Sequence, residues 1–253
     1  MYKILDIGFS CAYYNNMFTI PQTTDVLGLP IHLSPDYPSW IVRRSSENLG
    51  THIVTLNSEM AMLGQENKKI SQIITQAELV IPDGSGVVLY LMLRGFKQKR
   101  VPGIELAQEL IEKLSPQGPI AFYGGEPGVA EAAAKVWRDK IPDISILVSH
   151  GYLDQQQQEQ WCKTLAKAQP SLVLVGLGIP RQEVWIAEHR QLSPKAVWIG
   201  VGGSFDIWSG SKKRAPRLLR DNNLEWLYRL YQEPWRWRRM LVLPTFLMRC
   251  FLG

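Results

Sequence analysis

The stretch PIAFYGGEPGVAEAAAKVWRDKIPDISILVSHG, Pro119–Gly151, decides the fold. It opens on a short apolar run, turns through glycines, continues in an alanine-rich segment of helical spacing, and closes on a second apolar run. Apolar runs of this length alternating with helical segments are the pattern of βα units on a parallel sheet covered on both faces.

The same alternation extends both ways. Upstream, HIVTLN from His52 reads as a strand, SEMAMLGQENKKISQIIT has helical spacing, and ELVIPDG is again strand-like. GVVLYLMLRG reads as a buried helix and GIELAQELIEKL as an amphipathic one. Downstream come DQQQQEQWCKTLAKAQ, SLVLVGLG, PRQEVWIAEHRQL and AVWIGVGG, with Gln155–Gln158 as an exposed face at a helix start. Before His52, DVLGLPIHL reads as a strand and YPSWIVRRSSENLG as the opening of a helix on the same domain. Residues 1–211 therefore read as one Rossmann-like α/β core, a parallel sheet flanked by helices, with no internal repeat or long linker.

At 253 residues and 45% apolar content, the chain can bury a sizeable core. Cys11, Cys162 and Cys250 are odd in number and far apart, and read as reduced thiols of a cytoplasmic protein. The start, MYKILDIGFSCAYY, lacks the basic-then-apolar order of a secretory signal. No stretch reaches the roughly 20 apolar residues that span a bilayer. Charge is uneven. From Lys212 onward ten Lys/Arg stand against three Asp/Glu, a balance of +7, while the whole chain is +5, so residues 1–211 sum to −2. A basic segment on a mildly acidic body points to an anionic partner.

In open α/β sheets, ligands bind beyond the carboxyl ends of the strands. Thr55 and Asn57, Asp83, Gly124 and Gly125, Gly178 with Gln182, and Gly203 stand there. Each has a plain structural reading: Asn57 as a helix cap, Pro82-Asp83-Gly84 as a turn, the glycines as tight strand-to-helix connections. Several glycine-opened helix N-termini at one sheet edge also make an anion site. GGEPG is not the GxGxxG of dinucleotide binding. His32, His52, His150 and His189 show no metal-ligand spacing, and His150 reads as structural. There is no Asp-x-Asp to hold a divalent cation, so no metal or cofactor is expected.

TLNSEM, AELVIPDGSGVV, RVPGIEL, FYGGEPGVAEAAA, GLGIPRQE, GVGGSFDIWSG, KRAP and LEWLYRLYQEPWRWRR occur in that order. The ordered set resembles the WecG/TagA/CpsF glycosyltransferases over residues 25–243. The resemblance implies inverting, metal-independent transfer of an N-acetylmannosamine-type sugar from a UDP-sugar. The implied acceptor is N-acetylglucosamine on undecaprenyl pyrophosphate at the inner membrane face, joined in a β-1,4 linkage. It implies Asp83 as general base, Thr55 and Asn57 beside it, Arg100 and Gln182 in the substrate pocket, and Arg229, Arg236 and Arg239 as the basic residues of a C-terminal appendage. Ile179 departs from the family pattern, where a smaller residue is frequent. An aspartate of ordinary pKa, about 3.9, would be ionised at neutral pH, and arginines would take the charge of the departing UDP.

Residues 212–253 form that appendage. EWLYRLYQEPWRWRRM, Glu225–Met240, interleaves arginine with Trp226, Tyr228, Tyr231, Trp235 and Trp237, and an apolar run containing Phe246 follows. Arginine with tryptophan and tyrosine is how proteins sit on anionic bilayers. The segment therefore reads as a helical membrane foot that is also an active-site lid. Two alternatives remain at this stage: transfer of a different hexose, or a non-catalytic nucleic-acid grip, although the body carries no nucleic-acid motif.

Overall fold

The computed structural model describes residues 21–237 and 241–252. The readings of Met1–Tyr14, Cys11 and Arg239, and of the Arg236 side chain, lie outside the described residues. In chain order the elements are β1 (Gln22–Val26), β2 (Leu29–Leu33), α1 (Tyr37–Ser46), β3 (Thr51–Leu56), α2 (Ser58–Glu66), α3 (Lys68–Gln76), β4 (Leu79–Pro82), α4 (Ser85–Leu93), α5 (Gly103–Leu114), β5 (Ile120–Gly124), α6 (Val129–Lys140), β6 (Ile146–Ser149), α7 (Gln155–Ala168), β7 (Leu172–Gly176), α8 (Arg181–His189), β8 (Val197–Gly200), α9 (Ser204–Trp208), α10 (Arg217–Asp221), α11 (Glu225–Gln232) and α12 (Val242–Leu252).

Six strands form one parallel sheet in the order β4-β3-β8-β7-β5-β6. Every residue of β3 and β5 is buried, as continuous apolar runs in a doubly covered sheet require. Alternate side chains divide between the two faces. Ile53, Phe122, Leu174 and Ile199 pack with α1, α5, α6 and α9. Val54, Leu56 and Val80 pack with α2, α3 and α4, and Tyr123, Val173, Val175 and Trp198 with α7 and α8. The chain runs outward from β3 to β4 and returns to the same sheet centre at β8, so the topology switches direction between β3 and β8.

Three local expectations change. DVLGLPIHL is a hairpin and not one strand, because Leu27 and Gly28 both take positive φ and reverse the chain in two residues. It packs beside β4, whose Val80 N–H donates to His32 Nδ1. SEMAMLGQENKKISQIIT is two helices, since Asn67 leaves helical geometry and its side chain caps α3 through Lys69 N and Ile70 N. GVVLYLMLRG is helical but not buried all round. Gly86, Val87, Tyr90 and Leu91 face the core, while Leu89, Met92 and Leu93 are exposed, because α4 follows the edge strand β4 and has protein on one side only. At the start of α7, Gln155–Gln157 are exposed as expected and Gln158 is half-buried, with Asp154 and Gln157 forming a capping box.

The C-terminal segment folds back onto the body. α12 lies against α2 and α4. Phe246 is wholly buried in the core cluster of that face, joined by Val242 and Leu247. Phe246 was expected at the membrane; it is instead a core side chain, since an apolar residue with a protein surface to cover is held there. Among the described residues no helix is long and apolar enough to cross a membrane.

Candidate active site

A cleft of ≈ 340 Å³ opens at the carboxyl ends of β3, β4 and β8, at the topological switch. Its floor and walls include Thr55, Asn57, Asp83, Arg100, Gly178, Gln182 and Gly203, and α11 closes it with Trp226, Tyr228 and Arg229. Residues distant in sequence and singled out at strand ends thus share one cavity. Gly124 and Gly125 are not among its lining residues. A Cβ on Gly124 would collide with the Gly176 carbonyl oxygen, and Gly125 N–H donates to that oxygen, so this pair serves the close approach of β5 to β7.

Asp83 follows β4 directly and lies deep in the cleft, with part of its surface facing the cavity. Gly103 N–H, at the first turn of α5, donates to its Oδ1 at 3.3 Å. The close fit explains the glycines around it. A Cβ on Gly84 would lie 2.7 Å from the Asn57 backbone, and one on Gly103 would sit 3.0 Å from Thr55 Cγ2. Burial pushes the Asp83 carboxyl above its ordinary value, and Glu225 adds to this; Arg100, Arg229 and the Gly103 N–H pull it down and are outweighed. The carboxyl is therefore not the ordinary aspartate that the sequence suggested, because the cleft removes most of its water.

Asn57 serves the structural purpose as well: its Oδ1 accepts from Met60 N–H and caps α2 at the rim of the cleft. Gln182 is buried. Its Oε1 accepts from Gly202 N–H at 3.0 Å, its Nε2 donates to Glu183, and Glu183 in turn meets His52 Nε2 at 3.1 Å. This network fixes the loop after β8. Ile179 also lines the cleft. His150 Nδ1 accepts from Tyr152 N–H in a local turn.

The sequence did not single out Glu225 or Arg214. Glu225, in the first turn of α11, is buried at the cleft wall. Its Oε2 accepts from Arg100 at 2.9 Å and its Oε1 from Arg229 at 3.2 Å, with Arg214 Nε at 3.9 Å. Burial alone would raise its pKa, but Arg229, Arg100 and Arg214 outweigh that and hold it below the usual carboxylate value. The available signal was an acid four residues before Arg229 on a helix of otherwise basic and aromatic character. Arg214 is tied to Glu105 as well. Among the described residues no group of three or more His, Cys, Asp or Glu is arranged to hold a metal ion. The first turns of α2, α4, α5 and α8 all contribute lining residues; the Met60 and Gly103 N–H groups already serve Asn57 and Asp83, and the positive ends of the helix dipoles favour an anion. A deep carboxylate beside guanidiniums and helix N-termini is suited to taking a proton from a neutral nucleophile while holding an anionic leaving group.

The model of the glycosyl transferase WecG/TagA/CpsF family matches residues 24–253. An N-acetylglucosaminyldiphosphoundecaprenol N-acetyl-beta-D-mannosaminyltransferase of Bacillus spizizenii is 39% identical over 204 residues, covering 79% of this chain and 78% of that protein. The Bacillus subtilis protein of the same name is 37% identical over the same shares. That of Staphylococcus aureus (strain MW2) is 32% identical over 233 residues, 89% of this chain and 91% of its own length.

Proposed function

The chain belongs to the WecG/TagA/CpsF family and is a glycosyltransferase, and on that premise we propose that it transfers N-acetylmannosamine from UDP to the 4-hydroxyl of N-acetylglucosamine on a polyprenyl diphosphate. The observation that carries this reading is Asp83 and Arg229 in one cleft, one from the sheet edge and one from the C-terminal helix. Relatives at 32%, 37% and 39% identity are named for transfer of this sugar to this lipid-linked acceptor.

Asp83 accepts the acceptor's hydroxyl proton as that oxygen attacks the anomeric carbon. The new carbon–oxygen bond forms on the face opposite the breaking bond to the UDP phosphate oxygen, and the bonding electron pair leaves with UDP. A donor of α configuration gives a β product. Arg100 and Arg229, with Arg214 close by, take up the charge that grows on the diphosphate, bidentate guanidinium–phosphate pairing being the strongest way to do so without a metal. The helix N-termini add partial positive charge from the other side. Arg236 and Arg239 belong to the same basic segment and are proposed to reach the diphosphate with Arg229.

We assign the enzyme to the inner face of the plasma membrane; a lipid-carried acceptor together with a nucleotide-sugar donor supports that reading. The membrane-facing surface is supported by α11 and the turn after it, where Tyr231, Trp235 and Trp237 are exposed. It is supported further by α4, whose exposed Leu89, Met92 and Leu93 lie on a helix packed against α12 and are followed by exposed Arg94, Lys97 and Lys99. Apolar side chains rimmed by cations suit an anionic bilayer.

The test is direct. Purified full-length protein is offered UDP-N-acetylmannosamine, and separately other UDP-hexoses, with a short-chain polyprenyl diphosphate N-acetylglucosamine. Mass spectrometry should show one added N-acetylhexosamine and stoichiometric UDP from the first donor. Transfer only from another hexose donor, or hydrolysis without transfer, would overturn the assignment.

A further inference from the structure

A cleft built to receive an anion contains, besides its candidate base, a second buried acid. Glu225 is 5% exposed and neither lies at the strand ends nor faces open solvent. Each of its oxygens is engaged by a different guanidinium. Oε2 accepts from Arg100, which belongs to the loop between α4 and α5; Oε1 accepts from Arg229, one turn along α11. Arg100 is itself mostly buried, whereas the Arg229 side chain is half exposed toward the cleft. An arginine has five N–H donors. One bond to Glu225 leaves each of them donors for a phosphate. Without a carboxylate between them, two guanidiniums this close would repel one another in a site where water screens poorly.

We propose that Glu225 is a positioning residue of the transfer reaction, clamping Arg100 of the core to Arg229 of the C-terminal segment so that the pair meets the leaving diphosphate together. The role rests on the glycosyl transfer proposed above. It makes the charged half of the site conditional on the docked C-terminal segment, because Arg100 lies where the core alone can hold it while Glu225 and Arg229 arrive only with α11.

The test uses the full chain with Glu225→Gln, Glu225→Asp, Arg229→Gln and the Glu225→Gln/Arg229→Gln double variant. Glu225→Gln should lower kcat by roughly 10²-fold, the cost of misplacing a group in the reacting complex by about 1 Å. Glu225→Asp, which keeps the charge, should recover part of the loss. In the Arg229→Gln background the same substitution should cost far less, because coupled groups are not additive. The charged groups around Asp83 are Arg100, Arg229 and Glu225, and Arg214 stands beside Glu225. Glu225 raises the Asp83 pKa, so Glu225→Gln should also move the acid limb of kcat/KM to lower pH; the partial rescue by Glu225→Asp and the non-additivity with Arg229→Gln are what a merely structural role would not give. Trypsin should also cut the C-terminal segment faster in Glu225→Gln.

Wild-type transfer with an unchanged Glu225→Gln overturns the clamp alone. So does a loss that is additive with Arg229→Gln. Wild-type protein that transfers no sugar overturns the reaction, and this role with it. Should Glu225→Gln fail to fold, Glu225→Asp and the proteolysis of Arg229→Gln carry the test: normal kcat in the first together with wild-type resistance in the second would contradict the clamp.

Discussion

Arg100 and Glu225, 125 residues apart in sequence, meet at 2.9 Å inside the cleft. This ion pair joins the loop after α4 to the first turn of α11 and makes the C-terminal segment part of the site. Arg100→Ala should cost about 1.5–3 kcal/mol of stability, the worth of a hydrogen bond to a charged group. The full 3–5 kcal/mol of a broken buried pair is not expected, because Arg229 and Arg214 remain beside Glu225. Denaturant unfolding of the purified variant measures this, and an unchanged midpoint would contradict the pairing.

Within the C-terminal segment, core packing and membrane contact should separate. Phe246→Ala should destabilise by about 3–5 kcal/mol, as for other buried phenylalanines. Tyr231→Ser with Trp235→Ser should leave unfolding unchanged and weaken sedimentation with anionic vesicles, since both side chains are exposed. Leu89→Ser with Met92→Ser should do the same from α4. Vesicle binding unaffected by either exposed pair would remove the proposed membrane surface.

Activity should persist in excess EDTA. Guanidiniums and helix N-termini line the cleft, and in the proposed reaction they would supply the charge that a divalent cation otherwise brings to a diphosphate. Loss of turnover in EDTA that Mg²⁺ or Mn²⁺ restores would contradict the metal-free reading.

The acid limb of kcat/KM should lie above the ordinary aspartate range, because burial raises Asp83 and outweighs Arg100 and Arg229. Stability carries the same signature. A carboxyl whose pKa is higher folded than unfolded binds its proton more tightly when folded. Its ionisation therefore costs stability once pH passes the unfolded value, and the cost is complete above the folded one. Asp83→Asn should match wild-type Tm at about pH 3 and exceed it at neutral pH. A lower Tm for the variant at neutral pH would contradict the raised value.

Much of this was legible because apolar periodicity and strand-end position are local signals. HIVTLN, ELVIPDG and AVWIGVGG gave the sheet, and the rule that ligands sit beyond strand ends brought Thr55, Asp83 and Gly203 into one cavity. What was missed depends on neighbours that composition does not name. GVVLYLML, Gly86–Leu93, is apolar throughout, yet only its place beside an edge strand leaves Leu89, Met92 and Leu93 outward. Phe246 looked like a membrane residue until α2 and α4 covered it. Gly124 and Gly125 resembled anion-site glycines but serve the contact of β5 with β7. Glu225 was one acid in a basic run, and its burial among three arginines arises only when the chain's two ends of the site are folded together.

The central claim is that Asp83 takes the acceptor's proton. Single-turnover transfer with enzyme in excess, wild type against Asp83→Asn, measures it, with UDP affinity recorded on the same preparations. The account predicts a fall in the transfer rate of roughly 10²–10⁴-fold, the usual contribution of a general base, with UDP affinity retained. Near-normal transfer by folded Asp83→Asn would contradict it.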